Sequence, residues 1–328
     1  MKAIFFNKYG SADNLHLREV EKPVRIDDQV LIKVHASSIN SWDWEFLSGT
    51  PFLNRIMFGL FKPKAGKQIL GADIAGTVEA VGARVKKFQL GDNVFGDLWD
   101  QWGGFAEFAC AKETALMLMP KNSTFEEAAA VPQAGVLALQ GLLKAGKLEP
   151  EAKVLINGAG GGVGTFAIQL AKLSGAEVTG VDASHKLDIV RSLGADHVVD
   201  YQQVDYTKTG EQYDLIVDCQ SDRSISDYKR ALRPHGTYAM IGGLSVLPKM
   251  IQNFCSRFTG ESRKFCVVMD GPNKGLGYLK ELIENRRIVP VIDRTFQLCD
   301  VLKAMRYFGQ GLHKGKIVIS VENKRPWE

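Results

Sequence analysis

Residues 154–175 read VLINGAGGGVGTFAIQLAKLSG, and the fold turns on how that stretch is read. Val154, Leu155 and Ile156 form a short apolar run of the kind that makes a buried strand. The run stops at Asn157 and enters five glycines within seven residues. From Thr165 to Leu173, the apolar residues Phe166, Ala167, Ile168, Leu170, Ala171 and Leu173 recur at helical spacing. Strand, glycine turn and helix in that order present backbone N–H groups at a helix N-terminus, where a pyrophosphate binds.

The register of the glycines matters. Gly158-x-Gly160 is followed by Val163 where a third glycine is required, so that register fails. Starting one residue later gives Ala159-x-Gly161-x-x-Gly164, with alanine in the first place. Gly161 then lets the backbone approach the phosphates, and Gly164 lets the helix lie close to the strand. Eighteen residues past Gly164, the next predicted strand (177–181) ends at Asp182, where an acidic side chain meets an adenosine ribose. The turn residues Ala159, Gly160, Gly161, Gly162, Val163 and Gly164, together with Asp182, are therefore candidate cofactor contacts.

Outward from this stretch, strands and helices alternate: 154–156, 164–173, 177–181, 185–193, 197–199, 213–218, 224–232 and 237–241. A further strand is expected at 265–269 and a helix at 277–284. Such alternation predicts a parallel, doubly wound α/β sheet. Before about residue 120 the chain reads as β-rich, with strands at 30–36 (VLIKVHA), 76–81, 92–96 and 103–111, a spacing that suggests a small barrel-like domain. The stretch 50–68, rich in Phe, Lys and Gly, is either a short helix or a lid. Ser123 followed by Glu126 resembles a capping box that opens a helix at 126–130, and a second helix is expected over 135–144. The strand-like segments 288–294 and 316–321 most economically rejoin the first domain. The expected division is thus 1–122 with 288–328 for the first domain, and 123–287 for the second.

The chain has 328 residues, 45% apolar and 24% charged, with a net charge of +4. These are values of an ordinary globular protein, and no Lys/Arg run makes a nucleic-acid stripe. Five scattered cysteines without a CxxC suggest neither a zinc ribbon nor a disulfide framework, and reduced thiols fit a cytoplasmic location. The N-terminus lacks a signal h-region, and no apolar run is long enough to span a membrane.

Several segments taken together resemble the medium-chain dehydrogenase/reductase superfamily in its zinc-free quinone oxidoreductase branch. They are Ser38-Ile39-Asn40-Ser41-Trp42-Asp43, GADIAGTV (71–78), KFQLGDNVFG (87–96), Gly104-Phe105-Ala106-Glu107, the 159–164 turn, SLGAD (192–196) and Gly315-Lys316-Ile317-Val318. The resemblance covers nearly the whole chain. It implies a GroES-like barrel with a Rossmann domain inserted, an active-site cleft between them, and a homodimer through an edge strand of the Rossmann sheet.

Zinc-dependent relatives carry a Cys where this chain has Asn40 and a His-Glu pair where it has Ala72-Asp73. A four-cysteine lobe of the structural-zinc members is replaced by residues 97–102. Zinc needs three or four converging ligands, and none is expected here. The resemblance implies that Asn40 faces substrate and nicotinamide, where its amide could polarise a carbonyl. Asp43 matches a family acid, more often a structural hydrogen-bonder than a catalyst. Trp42, Trp44 and Phe46 are aromatic candidates for the cleft. No Tyr occurs between Tyr9 and Tyr201, so the Tyr proton donor of enoyl-thioester reductases is missing.

Cofactor choice rests on Asp182 through Lys186. An ionised Asp182 accepts from a ribose 2′-OH and repels a 2′-phosphate; Ser184, His185 and Lys186 hold a phosphate if Asp182 turns away. Family habit favours NADPH, and NADH stays open. Tyr201 matches a tyrosine near the adenosine end, and Cys219 lies beyond the carboxyl end of a strand, where ligands sit. Gly242 and Lys316 complete the candidate cofactor contacts. The expected activity is hydride transfer from NAD(P)H to a quinone or to the C=C of an α,β-unsaturated carbonyl. The alternatives are a dedicated enoyl or alkenal reductase and a non-catalytic NAD(P)H-binding protein.

Overall fold

A computed structural model describes residues 1–50, 52–146, 148–241, 262–268 and 271–321. Gly242 and the segment 244–260 lie outside the described residues. In chain order the strands are β1 (Lys2–Phe5), β2 (His16–Glu19), β3 (Gln29–Ile39), β4 (Asp73–Val81), β5 (Asn93–Asp97), β6 (Phe108–Lys112), β7 (Met117–Leu118), β8 (Lys153–Asn157), β9 (Glu177–Asp182), β10 (His197–Asp200), β11 (Tyr213–Asp218), β12 (Leu232–Met240), β13 (Lys264–Val267), β14 (Ile292–Gln297) and β15 (Lys316–Ser320). The helices used below are α1 (Ser41–Ser48), α2 (Phe52–Phe58), α3 (Phe125–Ala129), α4 (Pro132–Leu143), α5 (Gly162–Leu173), α6 (Leu187–Ser192), α7 (Ile225–Ala231), α8 (Leu276–Glu284) and α9 (Val301–Gly309). Among the described residues no helix is long and apolar enough to cross a membrane.

The chain forms two compact units. The first comprises Met1–Gln133, Pro272–Arg286 and Pro290–Glu328, and the second Ala134–Gly271 and Arg287–Val289. In the first, β14-β15-β3-β4-β5-β7 make one sheet, with β6 also on β3. The C-terminal strand β15 runs antiparallel to β3 and so brings the end of the chain back to its beginning. The segment 30–36 alternates in sequence as a half-buried strand would, but β3 is buried except at Gln29 and Lys33, because β4, β6 and β15 all pair on it and Phe125 covers His35.

The segments around α3 and α8, placed on sequence with the Rossmann-type domain, cluster instead with the first unit. Their polar ties explain it. Asn122 donates to the carbonyls of Ile283 and Glu284 (3.2 and 3.1 Å), and Asn273 exchanges two hydrogen bonds with the backbone of Asp97 (2.8 and 2.9 Å). The cap of α3 also differs from the sequence reading. Thr124 and Glu127, not Ser123 and Glu126, form the reciprocal box (3.2 and 2.8 Å). Packing chooses between the overlapping motifs: this register stacks Phe125 on His35 at 4.2 Å and buries Ala128 and Ala129. The 50–68 stretch contains helix α2, whose Phe58 meets Phe46 edge-on at 3.8 Å.

In the second unit six parallel strands follow the order β10-β9-β8-β11-β12-β13, the doubly wound arrangement expected from the alternation. Strand β12 starts five residues earlier than its apolar pattern shows. The register on β11 shifts between Tyr213 and Leu215, and His235 sits at φ 67° within the irregular segment.

Candidate functional site

Two constellations carry the residues singled out above, one in each unit. In the second unit, β8 ends at Asn157, and Gly158 turns the chain at φ 81°, a conformation that favours glycine. The N–H groups of Gly158 and Ala159 both donate to the Val181 carbonyl (2.9 and 3.0 Å), which fastens the turn to the end of β9. Gly161 is the extended N-cap of α5. The N–H groups of Gly162, Val163 and Gly164 then belong to the first turn, which the helix itself cannot satisfy.

The glycines are not equivalent. A Cβ on Gly164 would lie 2.2 Å from the Gly158 oxygen and 2.6 Å from the Ala159 backbone, so Gly164 is required by helix–strand packing. A Cβ on Gly160 would meet Lys186 Cβ at 2.7 Å. At Gly161 the only neighbour is the Gly158 oxygen at 3.3 Å, so this glycine leaves an open cradle rather than filling a packed one. Ala159, Gly160 and Gly164 are buried, whereas Gly161, Gly162 and Val163 are partly exposed. The anion-facing part of the turn is thus narrower than the six residues read from the sequence. Open backbone at Gly161 before unsatisfied helix N–H groups fits a dinucleotide pyrophosphate.

Asp182 is also more constrained than expected. Its Oδ2 accepts from Gly160 N and its Oδ1 from Ala183 N, both at 2.8 Å, and Lys186 Nζ lies 3.9 Å from Oδ1. The carboxylate, 7% exposed, therefore faces the glycine turn and a cation. Ser184 Oγ donates to Asp200 Oδ2, a bond that holds the Asp200 carboxyl below its ordinary range. Ser184, His185 and Tyr201 are exposed, and Tyr201 N donates to the Asp182 carbonyl (3.3 Å). The Cys219 N–H donates to the Asn157 carbonyl at 3.0 Å, and burial pushes its thiol well up, so it is no thiolate nucleophile.

The sequence reading missed Asp218. This fully buried carboxylate accepts from Asn157 Nδ2 (2.9 Å), the N–H groups of Gln220 and Ser221 (3.0 and 2.9 Å) and Tyr238 OH (2.7 Å). It clamps the ends of β8 and β11 beside the glycine turn. An acid closing an otherwise apolar strand (YDLIVD) is the signal that could have found it.

In the first unit, Asn40 caps α1 and is 6% exposed. Its N–H donates to Asp43 Oδ2, and Gly71 N donates to Asp43 Oδ1, both at 2.8 Å. Asp43 thus pins two backbone segments, the structural role its family position suggests. Asn40 Nδ2 donates to Asp73 Oδ2 (2.9 Å), and Lys316 Nζ donates to Asn40 Oδ1 and to the Ile39 carbonyl (3.2 Å). Lys316 Nζ also lies 3.5 Å from Asp73 Oδ2. Asp73 further accepts from Ser38 Oγ and Gln133 N, both at 3.0 Å. Lys316, grouped on sequence with the cofactor contacts, is 2% exposed, and its ammonium group is held by Asn40 and Asp73 instead.

The sheet register makes this cluster. Ser38 pairs with Asp73 and Asp73 with Asp97, while Ile39 pairs with Ile317, next to Lys316. Three carboxyls and one ammonium are buried together. Burial pushes Asp43 up to about 7, against the pull of its two N–H donors. Burial and the Asp73 charge push Asp97 up to about 8. Burial also raises Asp73, opposed by Lys316, and lowers Lys316, opposed by Asp73. Asp97 lines a cavity of about 200 Å³ with Trp99, Gln101, Thr114 and Asn273.

The aromatic candidates separate. Phe46 is core, 4% exposed and edge-on to Trp102 at 4.6 Å. Trp44 packs on α9, where a Cβ on Gly309 would lie 2.5 Å from its ring. Trp42 is half-buried and T-shaped against Trp99 at 4.6 Å. Among the described residues, no group of three or more His, Cys, Asp or Glu side chains is arranged to hold a metal ion.

Comparison with known proteins agrees with this fold. The family model described as alcohol dehydrogenase GroES-like domain matches residues 26–121, and the one described as zinc-binding dehydrogenase matches residues 193–319. A chloroplastic quinone oxidoreductase from Triphysaria versicolor is 33% identical over 334 residues, covering 97% of this chain and 98% of the relative. A chloroplastic NADPH-dependent alkenal/one oxidoreductase from Arabidopsis thaliana is 30% identical, over 97% of this chain and 79% of the relative. The solved quinone oxidoreductase of Coxiella burnetii superposes with a TM-score of 0.88 at 28% identity, covering 98% of this chain and 99% of that one. The chain belongs to the medium-chain dehydrogenase/reductase superfamily, in its quinone oxidoreductase-like branch.

Proposed function

We propose that this protein is a zinc-independent, NADPH-using oxidoreductase that reduces a quinone or the C=C bond of an α,β-unsaturated carbonyl. The observation that carries the reading is the open cradle at Gly161 before the first turn of α5, in a chain that also holds a buried, oriented amide at Asn40. A bound nicotinamide supplies the hydride. The N–H groups of residues 162–164 would bind the pyrophosphate, and Gly161 gives it room. Asn40 would donate an N–H to the acceptor's carbonyl oxygen, where negative charge develops, as an oxyanion-hole donor does. No tyrosine acid stands in the matching stretch, so the proton that completes the reduction comes from solvent or from the substrate.

The lean to NADPH rests on Asp182. Its oxygens are turned toward Gly160 and Ala183 and face Lys186, while Ser184 and His185 on the following turn are exposed. The Arabidopsis relative, named as NADPH-dependent, supports the same choice. For zinc, Asn40 and Ala72-Asp73 stand where the zinc-dependent members have Cys and His-Glu, and a Lys316 cation already sits on Asn40 and Asp73.

Initial rates of NADPH and NADH oxidation with a simple benzoquinone, an alkenal and a crotonyl thioester test the reading. Turnover with the quinone or alkenal is expected, faster with NADPH. Tight NADPH binding without turnover of any acceptor would leave a binding protein in its place. A strong NADH preference would sink the cofactor choice, and stoichiometric zinc on elemental analysis would sink the zinc-independent reading.

A further inference from the structure

An asparagine amide that acts as a donor must not flip, because a flip would present its carbonyl to the acceptor's oxygen. The two ends of an amide are nearly the same size, so shape does not hold them apart; hydrogen-bond partners do. Around Asn40 the partners leave no choice. Lys316 carries an ammonium group, which only donates, and it meets Oδ1. Asp73 carries a carboxylate, which only accepts when ionised, and it meets Nδ2. A flipped amide would set N–H against ammonium and C=O against carboxylate. The correct orientation spends one of the two N–H bonds on Asp73. The second N–H is left uncommitted among the described residues. A cation on the oxygen and an anion on the first N–H make both bonds charge-assisted, which strengthens them over neutral ones.

Both partners are held for this task. Lys316 opens β15, whose pairing on β3 sets its side chain at Asn40, with a further bond to the Ile39 carbonyl. Asp73 opens β4 and is steadied by Ser38 Oγ and Gln133 N. Neither residue is more than 2% exposed, so neither serves solvent. We propose that Lys316 and Asp73 are positioning residues that lock the Asn40 amide in the one orientation that offers an N–H to the acceptor's carbonyl oxygen. This rests on the hydride-transfer reading above and adds to it a device that sets the donor.

The test compares Lys316→Met with the double variant Lys316→Met/Asp73→Asn. The single variant keeps the stem but leaves the buried Asp73 carboxyl without its cation, so that it takes up a proton at a cost and can then donate to the amide as well as accept from it; the double variant removes both charges and so relieves that cost. In the double variant the new amide at position 73 can offer either an oxygen or an N–H, and the lock on Asn40 stays broken. With the benzoquinone or alkenal that the wild type turns over, both variants should lose on the order of 10- to 100-fold in kcat, less than the roughly 100- to 1000-fold of removing a preorganised donor outright, because an unlocked amide still offers its N–H part of the time. The NADPH dissociation constant and the acceptor KM should stay within about threefold, since neither group is asked to bind them. A role in stability alone predicts the opposite: a double variant that regains both melting temperature and kcat overturns the proposal, as does a single variant with wild-type kcat.

A readout independent of turnover uses protein labelled with ¹⁵N-asparagine. In the wild type, one Asn40 side-chain amide proton should be shifted downfield by the bond to Asp73, and that shift should be lost in both variants. An Asn40 amide spectrum unchanged by Lys316→Met overturns the lock. If the wild type oxidises NADPH with none of the acceptors, the functional reading fails by itself, and this spectrum decides the orientation claim without it.

Discussion

Two glycines three residues apart separate what the turn owes to folding from what it owes to a ligand. At Gly164 a methyl group would sit 2.2 Å from the Gly158 oxygen, a distance that no side chain tolerates, so the strand–turn–helix must shift. At Gly161 the nearest atom would be 3.3 Å away, and the protein can absorb it. Gly164→Ala should therefore lower the melting temperature by several degrees and weaken NADPH binding together, as overpacking by about 1–3 kcal/mol does. Gly161→Ala should leave the melting temperature within about 1–2 °C of wild type, yet weaken NADPH roughly tenfold, because the methyl enters the space the pyrophosphate needs. Calorimetry paired with a fluorescence titration reads both. Equal thermal losses for the two variants would show that Gly161 is a packing glycine after all. The pattern Ala159-x-Gly161-x-x-Gly164 was legible because each glycine answers to local backbone geometry. Lys316 was not: its role depends on β15 lying beside β3, some 277 residues away, where it meets Ile39 and Asn40. Asp73 was noticed only for the ligand it replaces, since nothing near it in sequence shows that it would face Asn40.

Elements are legible where periodicity is strong and blur where two local motifs compete. The parallel sheet follows from alternating apolar runs, and β11 has the bounds its apolar run implies. Strand β12 hides its first half behind Arg233, Pro234, His235 and Gly236, which no strand pattern contains. The start of α3 turns on STFEE (123–127), where two capping boxes are offset by a single residue. Local chemistry does not rank Ser123 with Glu126 above Thr124 with Glu127; the stacking of Phe125 on His35 does. Cap substitutions expose that choice. Thr124→Ala should cost about 1 kcal/mol in denaturant unfolding, the usual worth of a side-chain cap, and Ser123→Ala less than about 0.5 kcal/mol. A larger loss at Ser123 than at Thr124 would mean that the helix begins one residue earlier in solution.

At the scale of the whole molecule, the buried acids should set how stability depends on pH. Asp43, pushed up to about 7, and Asp97, pushed up to about 8, keep their protons in the folded chain over a range where the unfolded chain has lost them. Unfolded aspartates ionise near pH 4, so between about pH 4 and 8 the folded state binds more protons than the unfolded one, and stability falls as pH rises. Below that window both states are protonated and the cost disappears; above it the cost is constant. Carboxyls such as Asp205, lowered to about 2 by its bond from Thr207, act oppositely and lose their contribution only in stronger acid. The molecule should therefore be most stable on the mildly acidic side. Asp97 isolates the effect, because its Oδ1 is buried without a hydrogen-bond partner and its backbone ties to Asn273 do not need the charge. Asp97→Asn copies the protonated side chain and cannot ionise. Its melting temperature should lie near that of wild type at about pH 4 and clearly above it at about pH 8.5, the gap growing by up to roughly 1.4 kcal/mol per pH unit. For a chain of this size that is about 1.5 °C per kcal/mol. Calorimetric scans of both proteins at the two pH values decide it: a gap that stays the same would mean that Asp97 is ionised in the folded state and that the carboxyls beside Asn40 carry more negative charge than their burial allows.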